Sequence, residues 1–375
     1  MDEEAFFERL SSNADEPAEL FEHFEQCTFD GREYHALSSS RHGVERGTVV
    51  VPDANAIVRG FPSIPRVLVL ETGVPSFFDA ERVVLEEKLD GMNVRIANVD
   101  GEPWAFTRSG YVCPYTTTRA RTLLDLDAFF ADHPTTCVCA ELVGSETPYT
   151  NTDYDDVDSH EFRVFDLRDR ETGDPLPVDE RRRRCDEYAF PKPRSFGTHA
   201  VADAVEAARD AIDELDADGR EGLVVKSADG TELVKYTTEH QHHAELAYAF
   251  SLPFDYGRDF LFSRIVRDAF QAVEHDEDDD RLRERAHDLG EAILEPFVET
   301  IRDVDADEPV GERRTVRGAP ESVDALLDHL RNQSLTLAVE SDRREDGERV
   351  VDFLVLSEST RDTVQYHLDG GTRDN

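Results

Sequence analysis

Lysine is nearly missing from this chain. Of its 41 basic residues only Lys88, Lys192, Lys226 and Lys235 are lysines, and the rest are arginines. Arginine stays protonated in proteins, whereas a lysine can lose its proton and attack an electrophile. The five cysteines (Cys27, Cys113, Cys137, Cys139, Cys185) are odd in number and form no C-x-x-C pair, so they read as reduced, mostly buried thiols in a cytosolic protein. No apolar run approaches the ~18 residues of a membrane span, and acids crowd the first twenty residues, so neither a span nor a signal peptide is expected. Neither Gly-x-x-x-x-Gly-Lys nor Gly-x-Gly-x-x-Gly occurs, which leaves P-loop and Rossmann readings unsupported.

Positive charge is scarce too. The formal net charge is −42 and the pI about 4.5, with acids spread along the chain. This reads as the surface of a protein from a strongly saline cytoplasm, where self-repulsion is screened within roughly 3 Å at 1 M salt. A disordered acidic chain is the alternative; 39% hydrophobic residues and 22 phenylalanines argue against it. Such charge ordinarily argues against a nucleic-acid partner. In molar salt, however, counterion release gives little to any protein, and binding must lean on stacking, hydrogen bonds and buried arginines.

What is present allows two or three domains in 375 residues. Phe6, Phe7, Leu10, Leu20, Phe21 and Phe24, interrupted over 13–17, predict two short helices. Residues 48–51 and 67–70 predict strands around the irregular Gly60-Phe61-Pro62-Ser63-Ile64-Pro65-Arg66. There Arg59 and Arg66 read first as structural ion pairs and second as phosphate ligands. From 83 to 236 short alternating strands predominate, among them one that puts Cys137, Cys139 and Glu141 on one face, with helices over 123–130 and about 201–215. Beyond Gln241 the periodicity predicts helices at 244–250, 260–273 and 281–301. The acidic run 274–280 reads as a solvated loop, and His240, His242 and His243 as exposed, with no clean metal-ligand spacing. A helix over 321–330 and paired strands 335–339 and 350–356 follow, then a frayed tail from Gly370. The expected architecture is α+β: an N-terminal subdomain (1–75), a core of antiparallel sheets with helices (76–240), a helical region (241–308) and a small α+β unit (309–375).

The most informative stretch is Glu86-Glu87-Lys88-Leu89-Asp90-Gly91-Met92-Asn93-Val94-Arg95. Val83, Val84 and Leu85 read as a buried strand, Leu89-Asp90-Gly91 as a turn, and Val94 and Ile96 resume the alternation. Lys88 is then placed at a strand end, beside a glycine that lets backbone approach a ligand. Alone, Lys-x-Asp-Gly is more often a solvated hairpin; the scarcity of lysine reverses those odds. Five further stretches follow in order: Thr107-Arg108-Ser109-Gly110, Ala140-Glu141-Leu142-Val143-Gly144, Phe162-Arg163-Val164-Phe165-Asp166-Leu167, Glu221-Gly222-Leu223-Val224-Val225-Lys226 and Leu233-Val234-Lys235-Tyr236. Each is weak singly, and a lone Glu141, Glu221 or Phe165 has an ordinary structural reading. Together they hold the groups that nucleotidyl transfer needs.

These motifs resemble those of the covalent nucleotidyltransferases, that is, ATP-dependent polynucleotide ligases and mRNA capping enzymes, over about 80 to 240. Asn93, five residues after the lysine, is typical of RNA ligases, whereas DNA ligases usually place arginine there. The Gly60–Arg66 segment and the helical region resemble the homodimeric archaeal RNA ligases. The resemblance implies a nucleotidyltransferase (ATP-grasp-like ligase) core that joins a 5′-phosphate to a 3′-hydroxyl through lysyl-AMP and RNA-adenylate. It implies Lys88 as nucleophile, Glu86 and Phe165 at adenine, and Asn93, Arg95, Arg108 and Glu141 at the rest of the nucleotide. Lys226 and Lys235 fall at the α-phosphate, and Glu221 at Mg²⁺ (or Mn²⁺). RNA and a second copy of the chain are the implied partners, in the cytoplasm and without a membrane.

Two features depart from the family pattern. The last motif usually carries two lysines one residue apart, and here Thr237 is the nearest match to the second. Glu221 and Lys226 are an odd number apart, which would face them oppositely on a flat strand. A DNA ligase or a capping guanylyltransferase is the nearest alternative; both normally follow the core with an OB-fold of short strands. A non-catalytic nucleic-acid-binding relative is the other.

Overall fold

Phe6, Leu10, Leu20 and Phe21 form the inner faces of helices α1 (Glu3–Leu10) and α2 (Pro17–Phe21). With Phe24 they close over Leu37, Val44, Val50 and Ile57 of the first antiparallel sheet. That sheet runs β1 (Glu25–Phe29), β2 (Arg32–Ala36), β3 (Val49–Val51), β4 (Ala56–Val58) in spatial order. The computed structural model describes residues 2–150, 152–332 and 334–372. The expected strand at 67–70 is not formed: Arg66 makes an isolated parallel bridge to Lys235, and Leu70 opens helix α3 (Leu70–Phe77). That helix packs on a later sheet, where Leu70 and Val74 are fully buried, so helical packing outweighs local β propensity.

Two four-stranded antiparallel sheets form the centre. One has the order β7-β6-β8-β9, built from β6 (Met92–Val99), β7 (Glu102–Thr107), β8 (Thr136–Val143) and β9 (Glu161–Asp169). The other has the order β10-β5-β11-β12, from β5 (Arg82–Lys88), β10 (Ser195–Ala200), β11 (Gly222–Ser227) and β12 (Leu233–Thr237). The expected helix at 123–130 is two helices, α4 (Pro114–Leu123) and α5 (Leu126–Asp132), because Asp125 caps a new start by accepting from Ala128 N. Helix α6 (Val178–Glu187), an arginine-rich element absent from the sequence expectation, packs its Val178, Arg181 and Cys185 inward. Helix α7 (Val201–Ala217) matches its expectation and covers the back of the β5 sheet with Ala204, Ala208, Ala211, Ile212 and Leu215.

Helices α8 (Glu239–Ser251), α9 (Arg258–Glu274) and α10 (Asp279–Asp305) form the helical region. The acidic run is not simply solvated: Glu274 is buried and its carboxylate accepts from the backbone of Leu70 and Glu71 at the start of α3. His242 is also buried, and His243 half-buried, both turned toward Asp268. The last unit holds β13 (Gly311–Gly318), α11 (Pro320–Asn332), β14 (Leu337–Glu345), β15 (Glu348–Leu356) and α12 (Glu358–Leu368), with β13 and α12 added to what the pattern suggested. Its Val316, Leu327, Val351 and Phe353 share one core with Val94 and Phe162 of the β6 sheet and Phe129 of α5. Of the expected frayed tail, 370–372 folds back on α12, with Gly371 N donating to Tyr366 O; residues 373–375 lie outside the described residues. Among the described residues no helix is long and apolar enough to cross a membrane.

Candidate active site

The two central sheets are joined by the short turn from β5 to β6, and a cavity of about 540 Å³ lies between them. Gly91 makes that turn possible: a Cβ there would meet the Leu142 carbonyl at 2.4 Å, so this glycine admits the backbone of β8 as well as facing the cavity. Glu86, Lys88, Asn93, Arg108, Glu141, Phe165, Lys226 and Lys235 all line the cavity.

Strand register explains the convergence. Glu86 of β5 stands opposite Val224 of β11, which stands opposite Lys235 of β12. Side chains two apart share a face, so Lys88, Lys226 and Lys235 point the same way. In β9 the pairing with β8 skips from Asp166 to Val164, leaving Phe165 as the extra residue of a bulge. A bulge re-aims a side chain. Phe165 is thereby turned into the cavity, edge-on to Phe61 with ring centroids 5.2 Å apart.

At the deep end Glu86 is 1% exposed and held by three cations. Arg181 and Arg182 (Nη1 at 2.6 Å) share its Oε1, and Lys226 Nζ lies 3.0 Å from its Oε2. Burial pushes this carboxyl up, but Lys226 and Arg181 outweigh it and hold it at about 2. Lys226 also donates to the Phe165 carbonyl at 2.7 Å. Arg181 and Arg182 were not singled out from sequence; their signal was the four-arginine run 181–184, which reads as a solvated face until α6 is placed.

At the mouth, Lys88 Nζ forms an ion pair with Glu221. The parity problem between Glu221 and Lys226 is resolved at Gly222. This residue has φ +150°, and a Cβ on it would meet the Tyr236 carbonyl at 2.2 Å. Only glycine adopts that backbone readily, and the break before β11 swings Glu221 toward Lys88. Glu141 is raised to about 8, by burial first, with Lys88 opposing and Glu221 and Asp90 adding to the rise. Glu221 is raised for the same chief reason. Lys235 is lowered to about 8, by burial and then by Lys88 and Arg66. Burial also lowers Arg108, with Arg46 adding repulsion.

Arg95 is the exception among the sequence candidates. It is 1% exposed and lies outside the cavity. Its guanidinium donates to the carbonyls of Arg59 and Gly47, both at 2.6 Å, and of Thr107 at 3.2 Å. An arginine is required because its planar fork satisfies three backbone acceptors between the N-terminal sheet and β6. Arg59 is structural as well, paired to Glu45 at 2.7 Å. Arg66 forms no ion pair among the described residues; its Nη1 donates to Thr237 Oγ1 at 2.6 Å.

Comparison with known proteins agrees with this geometry. Residues 81–237 match the family model of RNA ligases, and 248–371 match that of the ligase Pab1020 C-terminal region. The uncharacterized protein MJ0414 of Methanocaldococcus jannaschii is 37% identical over 342 residues, covering 88% of this chain and 85% of its own. Two solved forms of an archaeal ATP-dependent RNA ligase superpose with a TM-score of 0.92 at 37% identity, over the whole of both chains. A putative ATP-dependent DNA ligase from Aquifex aeolicus shares the fold (TM-score 0.87, covering 95% of this chain and 98% of its own) at 23% identity. The chain belongs to the archaeal ATP-dependent RNA ligase family.

Proposed function

We propose that this enzyme joins the 5′-phosphate and 3′-hydroxyl ends of RNA at the expense of ATP, with Lys88 as its covalent nucleophile. The observation that carries the reading is the seat of Lys88: a lysine at the end of a buried strand, ion-paired to Glu221 at a cavity that also holds Lys226 and Lys235.

Adenine fits the deep end, between Phe165, Val224 and Leu233. Glu86 stays a carboxylate there and accepts a hydrogen bond from the exocyclic amine of adenine. Guanine presents a carbonyl at that position, which favours ATP over GTP. Asn93 and Arg108 face the sugar and phosphates. Lys88, once neutral, forms a bond from Nζ to the α-phosphorus as the bond to the β-phosphate oxygen breaks, and Nζ gives up a proton to water. Pyrophosphate leaves with the electron pair, while Lys235 stabilises the charge that develops; Lys226, which the sequence placed at the α-phosphate, is held instead at the adenine end by Glu86 and the Phe165 carbonyl. A 5′-phosphate oxygen of RNA then takes the AMP and Nζ recovers a proton from water. Attack by the 3′-hydroxyl closes the phosphodiester and releases AMP.

A divalent cation fits the oxygen donors around Lys88. Glu141, Glu221 and Asp90 are the carboxylates that would hold it: burial is the chief cause of the upward shift of the two glutamates, and Asp90 adds to it in both, a repulsion that Mg²⁺ or Mn²⁺ would relieve. Bound there, the ion would lower the charge facing the α-phosphate. A homodimer in the cytoplasm completes the proposal. It is supported by apolar side chains on α9 and α10 that face solvent in the single chain, Phe262 (58% exposed), Val273 (81%) and Leu294 (63%).

The test is incubation with α-labelled ATP in Mg²⁺ and molar salt. The protein should take a covalent label, Lys88→Ala should take none, and GTP should not substitute. The charged enzyme should circularise or join single-stranded 5′-phosphorylated RNA in preference to nicked duplex DNA. A variant without Lys88 that still seals RNA would overturn the mechanism.

A further inference from the structure

The first departure from the family motif, Thr237 where a lysine usually stands, leads to a site two strands away from Lys88. Arg66 bridges Lys235 in parallel: Lys235 N donates to Pro65 O at 2.9 Å, and Val67 N donates to Lys235 O at 3.1 Å. The side chains of Arg66 and Lys235 thus lie on one face of the extended sheet. On that face Lys88 stands opposite Gly222 and Gly222 opposite Thr237, whose hydroxyl receives the Arg66 guanidinium. The same hydroxyl is hydrogen-bonded to Nε2 of His242, 2.7 Å away. Two strand spacings separate Lys88 from Thr237, roughly 10 Å, and Gly222 contributes no side chain to the gap.

Positive charge gathers at this end. Burial first, and then the neighbouring Arg267, lower the pKa of Arg66 to about 10. The buried Arg267 Nη1 has no hydrogen-bond partner, and its nearest carboxylate, Glu245, is 3.6 Å away. Glu245 is already bonded to Arg264 Nε at 2.6 Å, and Glu221 is committed to Lys88. In a chain of net charge −42, two guanidinium groups are thus left under-neutralised behind Lys235, just outside the lining of the nucleotide cavity.

An in-line displacement at phosphorus sets the entering and leaving atoms on opposite sides. A phosphorus held at Lys235 has Lys88 on one side and Arg66 on the other. We propose that Arg66, supported by Arg267, forms a phosphate site opposite the nucleophile. It holds the pyrophosphate end of ATP as it departs, and then the RNA 5′-phosphate as it attacks the lysyl-adenylate. Thr237 and His242 position the guanidinium. This rests on Lys88 being the nucleophile. In the first use the N–P bond forms and the P–O bond to the β-phosphate breaks. In the second an O–P bond forms, the N–P bond breaks, and the electron pair returns to Nζ, which takes a proton from water.

The experiment charges the enzyme with labelled AMP by long incubation, then measures its discharge separately by inorganic pyrophosphate and by 5′-phosphorylated RNA. Arg66→Gln should raise the half-saturating concentration of each acceptor about tenfold or more, and Arg66→Lys should recover part of the loss. A loss with one acceptor alone still supports the phosphate site and names its source. Unchanged discharge by both, or a loss as large in Arg66→Lys as in Arg66→Gln, overturns it. Failure of the wild-type protein to take label, or labelling of Lys88→Ala, would instead sink the ligase mechanism itself.

Discussion

Lys226 Nζ lies 3.0 Å from Glu86 Oε2, and this pair is nearly sealed from solvent, Glu86 being 1% exposed. With Arg181 and Arg182 on its other oxygen, Glu86 is the charge around which the deep end of the cavity is organised. Removing it strands buried cations, and breaking a buried pair from one side costs about 3–5 kcal/mol. Glu86→Ala should show that loss in denaturant unfolding at constant salt.

The same carboxyl makes a pH prediction. Its folded pKa, about 2, lies below its unfolded value, so its contribution is present above pH ~4.5 and is lost as pH falls toward 2. The contribution is roughly 3 kcal/mol, from the size of the shift. Stability curves of the wild type and Glu86→Gln should therefore converge on acidification. Parallel curves through that window would contradict the assignment.

Gly222 should not tolerate a side chain. Its φ of +150° and the 2.2 Å approach to the Tyr236 carbonyl together forbid a Cβ without moving the backbone. Gly222→Ala should cost about 2–4 kcal/mol and slow lysyl-AMP formation by two orders of magnitude or more, because Glu221 is displaced from Lys88. Single-turnover labelling on a variant confirmed as folded by circular dichroism checks it.

Lys235, lowered to about 8, should set the alkaline side of the first step. As pH rises through 8 it loses the charge that faces the α-phosphate, and enzyme-adenylate formation should slow. Lys235→Arg keeps its charge, so its alkaline limb should move upward by a unit or more even if the maximal rate falls. An unmoved limb would assign it to another group.

The exposed apolar side chains on α9 and α10 should be covered in solution. Light scattering in molar salt should give a mass near twice 42.4 kDa. Phe262→Asp with Leu294→Asp should give monomers that still take the AMP label, since neither residue lines the cavity. A monomeric wild type would remove the dimer from the proposal.

Local pattern alone was enough to read the α+β class and the β5–turn–β6 seat of Lys88; that Glu86, Asn93, Arg108, Glu141, Phe165, Lys226 and Lys235 belong to one pocket came from the resemblance of their motifs to those of the covalent nucleotidyltransferases. Those residues sit in strands with period-two alternation beside turn residues, and the choice of lysine over arginine is written in composition. Long-range partners were not legible. Arg95 carries the same guanidinium as Arg108, yet one fork is spent on three backbone carbonyls and the other faces the cavity. Only the packing of the β6 sheet against the N-terminal sheet separates them. Likewise Arg181, Arg182, His242 and Glu274 read as surface groups until helices distant in sequence pack against them. Thr237 and Arg66, 171 positions apart, become neighbours through a single bridge at the edge of β12. Periodicity determines which face a side chain takes; what that face meets is fixed by packing, because burial and ion pairing are settled between segments and not within them.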